Sequence, residues 1–137
     1  MFTSQDDQMD VLGVGVKAPG RVSGFELIGF CGAAGGRRAI DMLRTRRFDL
    51  VLVSSNLPDM NVWDFLRHMR TALPRQRWAW VGGGLSEEQE SMVRMFGATT
   101  IFDDAPTTEQ LLNVTARLRA RAIANVLSGR FGQKPSF

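Results

Sequence analysis

The sequence contains one cysteine and one histidine in 137 residues. Cys31 alone closes no internal disulfide, and His68 alone leaves too few nitrogen and sulfur donors for a zinc site. Stability must therefore come from packing, which a chain of this size with 44% hydrophobic content can supply as one domain. A run of about 18 apolar residues, the length that spans a bilayer, is also missing. The opening MFTSQDDQMD has no basic stretch leading into an apolar one. Neither a membrane span nor a signal peptide is expected, and a lone thiol fits a reducing cytoplasm.

Acidic residues are the minority, 14 against 17 basic ones, which leaves a net charge of +3. The arginines gather at Arg37-Arg38, Arg44 to Arg47, Arg67 to Arg77 and Arg117 to Arg130. Charge spread over several segments reads first as solvated helix faces and leaves an acidic partner open.

What is present alternates strands with helices. Residues 1–10 are polar and uncapped and read as a tail, followed by one domain over 11–128 and a second tail over 129–137. Val11 to Val16 reads as a short strand weakened by two glycines, and Phe25 to Phe30 as a better one before the glycines of 32–36. Ala39, Ile40 and Leu43 give an amphipathic helix from Arg37, and the apolar run Asp49 to Val53 reads as a strand covered on both faces. Asn61 is placed to cap a helix carrying Phe65, Leu66 and Met69, which ends by Pro74. Trp78 to Val81 is the next strand. Ser86 and Gln89 have capping-box spacing ahead of a helix with Met92, Val93 and Phe96, closed by Gly97. Thr99 to Phe102 reads as the last strand, and Thr107 with Gln110 caps a long helix through Leu111, Leu112, Thr115 and Leu118 that Gly129 should end. Short strand-helix units of this kind make a parallel sheet with helices on both faces, an α/β doubly wound fold.

The stretch from Phe48 to Leu66, with Leu57-Pro-Asp-Met60 at its centre, resembles the third strand, loop and third helix of bacterial response-regulator receiver domains. Gly97-Ala98 before the last strand is similar to the corresponding turn of that family, and Gly35 to Ile40 to the start of its second helix. The likeness covers roughly residues 25–126 and implies a five-stranded, flavodoxin-like receiver fold. In the family a phosphoacceptor aspartate ends the third strand four residues before the proline, which puts Ser54 in that position. The switch Thr or Ser falls on Gly82 or Gly83, the lysine after the last strand on Asp104, and its proline on Ala105. The candidate first strand ends in Lys17-Ala18, where the family carries the carboxylates that hold Mg²⁺. The resemblance, with these departures, implies a degenerate receiver without metal, cofactor or catalysis that signals by binding a protein partner or a second copy of itself.

Only eight residues, Lys17 to Gly24, separate the first two candidate strands, too few for a helical crossover. The first helix of the family is expected to be shortened, replaced or missing, with exposed apolar surface as the consequence. A second alignment makes Phe25 to Phe30 the first strand and drops a later element, and both stay open at this point.

Other features have plainer readings. Gly29 to Gly35 looks like a phosphate loop but lacks the G-x-G-x-x-G spacing, so a tight turn is preferred. Gly82 to Gly84 could leave a small vacant pocket at the sheet edge for a ligand, although a loop is the simpler reading. Trp78 and Trp80 share one face of their strand. With Trp63, Arg94, Phe102, Arg117 and Arg121 they form a candidate interface set, core filling being the commoner use of tryptophan. His68 reads as a surface residue. The C-terminal arginines could contact nucleic acid, but no recognition motif or interleaved aromatics accompany them.

Overall fold

A computed structural model of the chain describes residues 8–20 and 25–131. Five parallel strands, β1 (Met9–Val14), β2 (Ile28–Ala33), β3 (Leu50–Ser54), β4 (Trp78–Val81) and β5 (Ile101–Phe102), form one sheet in the order β2-β1-β3-β4-β5. Helices α1 (Gly36–Thr45), α2 (Val62–Ala72) and α3 (Glu87–Met95) link the later strands, and α4 (Thr108–Phe131) follows β5. The register puts Val11 beside Leu50 and Val14 beside Val53, so the apolar alternation of β1 matches that of β3.

Alternation splits the core in two. Leu12, Val14, Val51, Val53, Trp78 and Trp80 point to one side and pack with α1, α2 and α3 through Ala39, Phe65, Leu66, Met69 and Val93. Val11, Leu50, Leu52, Ala79 and Val81 point to the other side, which α4 covers with Leu111, Val114 and Leu118. Strand β3 is buried on both faces, as its unbroken apolar run requires.

The helix boundaries follow local chemistry. Asn61 Oδ1 accepts the Trp63 N–H at 2.8 Å, and Ser86 and Gln89 exchange reciprocal bonds of 3.1 and 3.0 Å. Thr107 and Gln110 do the same at the start of α4. Such caps satisfy N–H groups that the first helical turn leaves without partners.

Several boundaries depart from the sequence reading. β1 begins at Met9 and stops at Val14, two residues earlier at each end than Val11 to Val16, so residues 9 and 10 belong to the sheet and not to a tail. The pairing explains it: Met9 lies opposite Ile28, and Asp49 donates its N–H to the Asp10 carbonyl at 2.8 Å. β2 is likewise displaced from Phe25–Phe30 to Ile28–Ala33, with Phe25–Leu27 forming a 3-10 turn ahead of it. The alignment that made Phe25 to Phe30 the first strand is thereby excluded. β5 is shorter than Thr99–Phe102, although Thr99 already donates its N–H to the Trp78 carbonyl at 2.8 Å. Gly129 does not end α4, which continues to Phe131; the remainder of the tail expected over 129–137, like residues 1–7, lies outside the described residues.

Among the described residues no α-helix joins β1 to β2. Three groups stand over that part of the sheet instead. Phe30 folds its ring across Gly13, where a Cβ would overlap it. Val16 packs against the same cluster as Phe30, and Pro19 is buried. The connecting segment is fastened to α4 by the Thr108 hydroxyl, which donates to the Gly20 carbonyl at 3.0 Å. The expected exposed face is therefore partly covered by the chain itself.

Candidate functional site

In parallel α/β sheets the loops beyond the C-terminal strand ends collect functional groups. Here that edge is made by the residues after β1, β3, β4 and β5. Ser54 ends β3 half-buried, and its Oγ accepts the Asn56 N–H at 3.2 Å, closing a tight turn within its own loop. Gly15 follows β1 with φ of 70°, and a Cβ there would lie 3.4 Å from that of Ser54 and 3.3 Å from the Asn56 carbonyl. Both the left-handed backbone and the close approach favour glycine. The residue beside Ser54 is thus Gly15 and not Lys17 or Ala18, a correction that follows from the earlier end of β1.

Gly82 follows β4 with φ of 146°, and its missing Cβ would lie 3.8 Å from the Ser55 hydroxyl. Gly83 faces the Asp103 side chain across the β4–β5 edge, while Asp104 is exposed in the next loop. Around Ser54 this edge carries hydroxyls and glycine backbone, with Asp103 and Asp104 in the loop after β5 and Asp59 in the loop after β3. A hard divalent cation prefers several carboxylate or carbonyl oxygens converging at 2.0–2.6 Å. Gly15 and Ser54 do not fit such a site, and among the described residues no group of three His, Cys, Asp or Glu side chains could hold a metal ion.

A cavity of about 510 Å³ opens between the β3–α2 and β4–α3 loops, lined among others by Ser55, Asn61, Trp63, Trp80, Gly83 and Gln89. Trp63 stacks on Trp80 with ring centroids 5.6 Å apart, and its other neighbour is Phe96 at 5.7 Å. The Trp80 indole N–H is buried without a hydrogen-bond partner among the described residues, whereas that of Trp78 donates to the Phe96 carbonyl at 3.3 Å.

The candidate interface residues separate into three groups. Trp78 and Trp80 are 3% and 2% exposed and fill the core, so they offer no surface to a partner. Trp63 and Phe102 are half-buried. Arg94, Arg117 and Arg121 are exposed, Arg94 pairing with Glu90 at 3.3 Å and Arg117 donating to the Asn113 carbonyl at 3.5 Å. Met92, expected on the apolar stripe of its helix, is instead 43% exposed and Met95 is 75% exposed, while Val93 takes the buried position. His68 is exposed on α2.

One residue with a structural role was not singled out in the sequence. Asp59, from the loop after β3, accepts the Gly36 N–H through Oδ1 at 2.9 Å and the Arg37 N–H through Oδ2 at 3.0 Å. The Arg37 and Gly36 N–H groups hold its carboxyl below the usual aspartate range. The signal was the start of α1 itself, where Gly35 has no side chain to cap the helix.

No protein-family model and no curated protein matches the sequence. Solved structures do. The chemotaxis response regulator CheY4 of Vibrio cholerae is 21% identical, with 81% of this chain and 98% of that one aligned at a TM-score of 0.63. The signal receiver domain of a LuxO repressor protein from Vibrio parahaemolyticus aligns at TM-score 0.69 and 17% identity over 88% of this chain and 96% of that one. A CheY-like receiver domain protein from Methanospirillum hungatei gives 0.67 and 18% over 85% and 98%. The chain thus has the α/β fold of CheY-like receiver domains. Among the described residues, no helix is long and apolar enough to cross a membrane.

Proposed function

We propose that this chain is a receiver-type module that has no phosphoryl-transfer chemistry of its own and works in bacterial signal transduction by binding another regulatory protein or a second copy of itself, in the cytoplasm. The observation that carries this reading is the end of β3. Ser54 stands there with its hydroxyl engaged by Asn56, beside Gly15. A serine hydroxyl next to glycine supplies neither the carboxylate nucleophile of an acyl phosphate nor the anionic oxygens that bind Mg²⁺. Asp104, at the position of the family lysine, would repel phosphoryl oxygens instead of neutralising them.

Exposed apolar side chains support the binding half of the proposal. Of the four large ones among the described residues, Leu27, Met92, Met95 and Ile123, three belong to α3 and α4. Flexible methionine side chains at a surface suit adaptable protein contacts. The test is thermal melting and sedimentation of the purified protein with and without Mg²⁺ plus beryllofluoride. Unchanged melting and unchanged assembly are expected, and a clear shift in either would overturn the reading.

A second reading, small-ligand sensing at the same edge, is favoured by the cavity beside Trp63 and the unpartnered Trp80 N–H. It predicts ligand-dependent thermal stabilisation that is lost when Gly83→Leu fills the cavity.

A further inference from the structure

The opposite end of the sheet, at the N-terminal ends of β3 and β4, has a different character. Strand β3 rises about 3.3 Å per residue, which puts this end roughly 13 Å from Ser54. A groove of about 510 Å³ runs there between the end of α1 and the α2–β4 loop. Its apolar lining is Leu43, Ala72, Leu73 and Pro74, with Phe48 itself buried in the core. Its rim carries four arginines, Arg46, Arg47, Arg75 and Arg77, and one carboxylate, Asp49.

The four guanidinium groups are not equivalent. Arg46 is committed to the fold: it lies over the Phe48 ring at 4.7 Å, reaches Asp10 at 3.9 Å and donates to Cys31 Sγ at 3.2 Å. Arg47, Arg75 and Arg77 have no carboxylate partner among the described residues. Asp49, whose Oδ2 accepts the Asp10 N–H at 2.8 Å, is the one carboxylate among the groove's lining residues, against four arginines. Between Arg75 and Arg77, the Gln76 side chain donates to the Phe48 and Arg77 carbonyls, both at 3.0 Å, and fixes the segment that carries both arginines.

We infer that this groove is a docking site for an acidic peptide segment of a partner protein, one that places an apolar side chain against Leu43, Leu73 and Pro74 and carboxylates against Arg47, Arg75 and Arg77. Four arginines beside one carboxylate leave the groove with a surplus of positive charge, and carboxylates from outside are attracted to it. Guanidinium groups suit carboxylates because the planar fork can donate two parallel hydrogen bonds. The apolar lining favours a peptide over a bare phosphate or a nucleic-acid backbone, which would leave it uncovered. This surface lies at the opposite end of the sheet from Ser54, so the inference goes beyond the proposed function and does not depend on it.

The test uses the full chain and four probes: a fluorescent peptide alternating glutamate with leucine, its lysine-leucine counterpart, inorganic tripolyphosphate and a single-stranded oligonucleotide. Saturable binding of the glutamate-leucine peptide is expected, weakening with added salt and roughly tenfold or more weaker in the combined Arg47→Ala, Arg75→Ala, Arg77→Ala variant. Arg38→Ala, on the exposed face of α1, should bind as the parent does. A melting curve checks that the triple variant is folded, and the single charge reversal Arg75→Glu gives the same reading if it is not. Absence of saturable peptide binding, or binding that these variants leave unchanged, overturns the inference. So does tight binding of the lysine-leucine peptide, or preference for tripolyphosphate or the oligonucleotide over the acidic peptide. None of these outcomes bears on the beryllofluoride result.

Discussion

The carboxylate of Asp59 caps a helix that begins 23 residues earlier in the chain, accepting the Gly36 N–H at 2.9 Å. It thereby joins the loop after β3 to the loop after β2 across the C-terminal edge of the sheet. Because backbone N–H groups bind the ionised form, the folded-state pKa lies below the ordinary aspartate value. The contribution to stability is present above the ordinary pKa and disappears as pH falls through the lowered one. Asp59→Ala should melt below the parent at pH 7, and the gap should close progressively in acid. Thermal melts across that range check it, and a gap that persists at the acid end would contradict the cap.

Gly35 lets this contact form. A Cβ at that position would overlap the Asp59 carboxylate. Gly35→Ala is therefore expected to destabilise by about 1–3 kcal/mol, the ordinary range for forced overpacking, measured by urea unfolding. A neutral or stabilising result would show that the loop relaxes freely.

Trp80 is the largest fully buried side chain, between Trp63 and the α2 side of the core. Trp80→Ala should cost about 3–5 kcal/mol and quench the coupling between the stacked indoles, read by denaturation and near-ultraviolet circular dichroism.

Among the described residues, the segment standing in place of a first helix is tied to α4 by the bond from the Thr108 hydroxyl to the Gly20 carbonyl. Thr108→Val keeps the shape and removes the donor. The expected loss is about 1 kcal/mol, with faster amide exchange at Val16 and Lys17 and no change at Val53. Equal acceleration at all three would mean that the segment unfolds only with the whole domain.

Elements with local signals were legible in the sequence. The strand Trp78–Val81, the Asn61 cap and the Ser86–Gln89 box depend on residues within a few positions of one another, and the structure places them as read. What was missed depends on distant partners. Met9 is a strand residue because Ile28 lies opposite it, and Met92 is exposed because Val93 takes the inward position once α3 is laid on the sheet. The Asp59 contact and the groove at Phe48 join segments that only the tertiary fold brings together. At the candidate site, the resemblance to receiver domains pointed to Ser54 and to Gly82 or Gly83, which the structure places at the ends of β3 and β4. The neighbours of Ser54 were misplaced by two residues because glycine-broken β1 gave no sharp end.

The most direct test of the central claim is intact-mass spectrometry after incubation with acetyl phosphate and Mg²⁺. The account predicts an unmodified chain at every time point. A phosphoryl adduct that forms with Mg²⁺, is lost at alkaline pH as an acyl phosphate would be, and maps to the edge around Ser54 or Asp103 would contradict it.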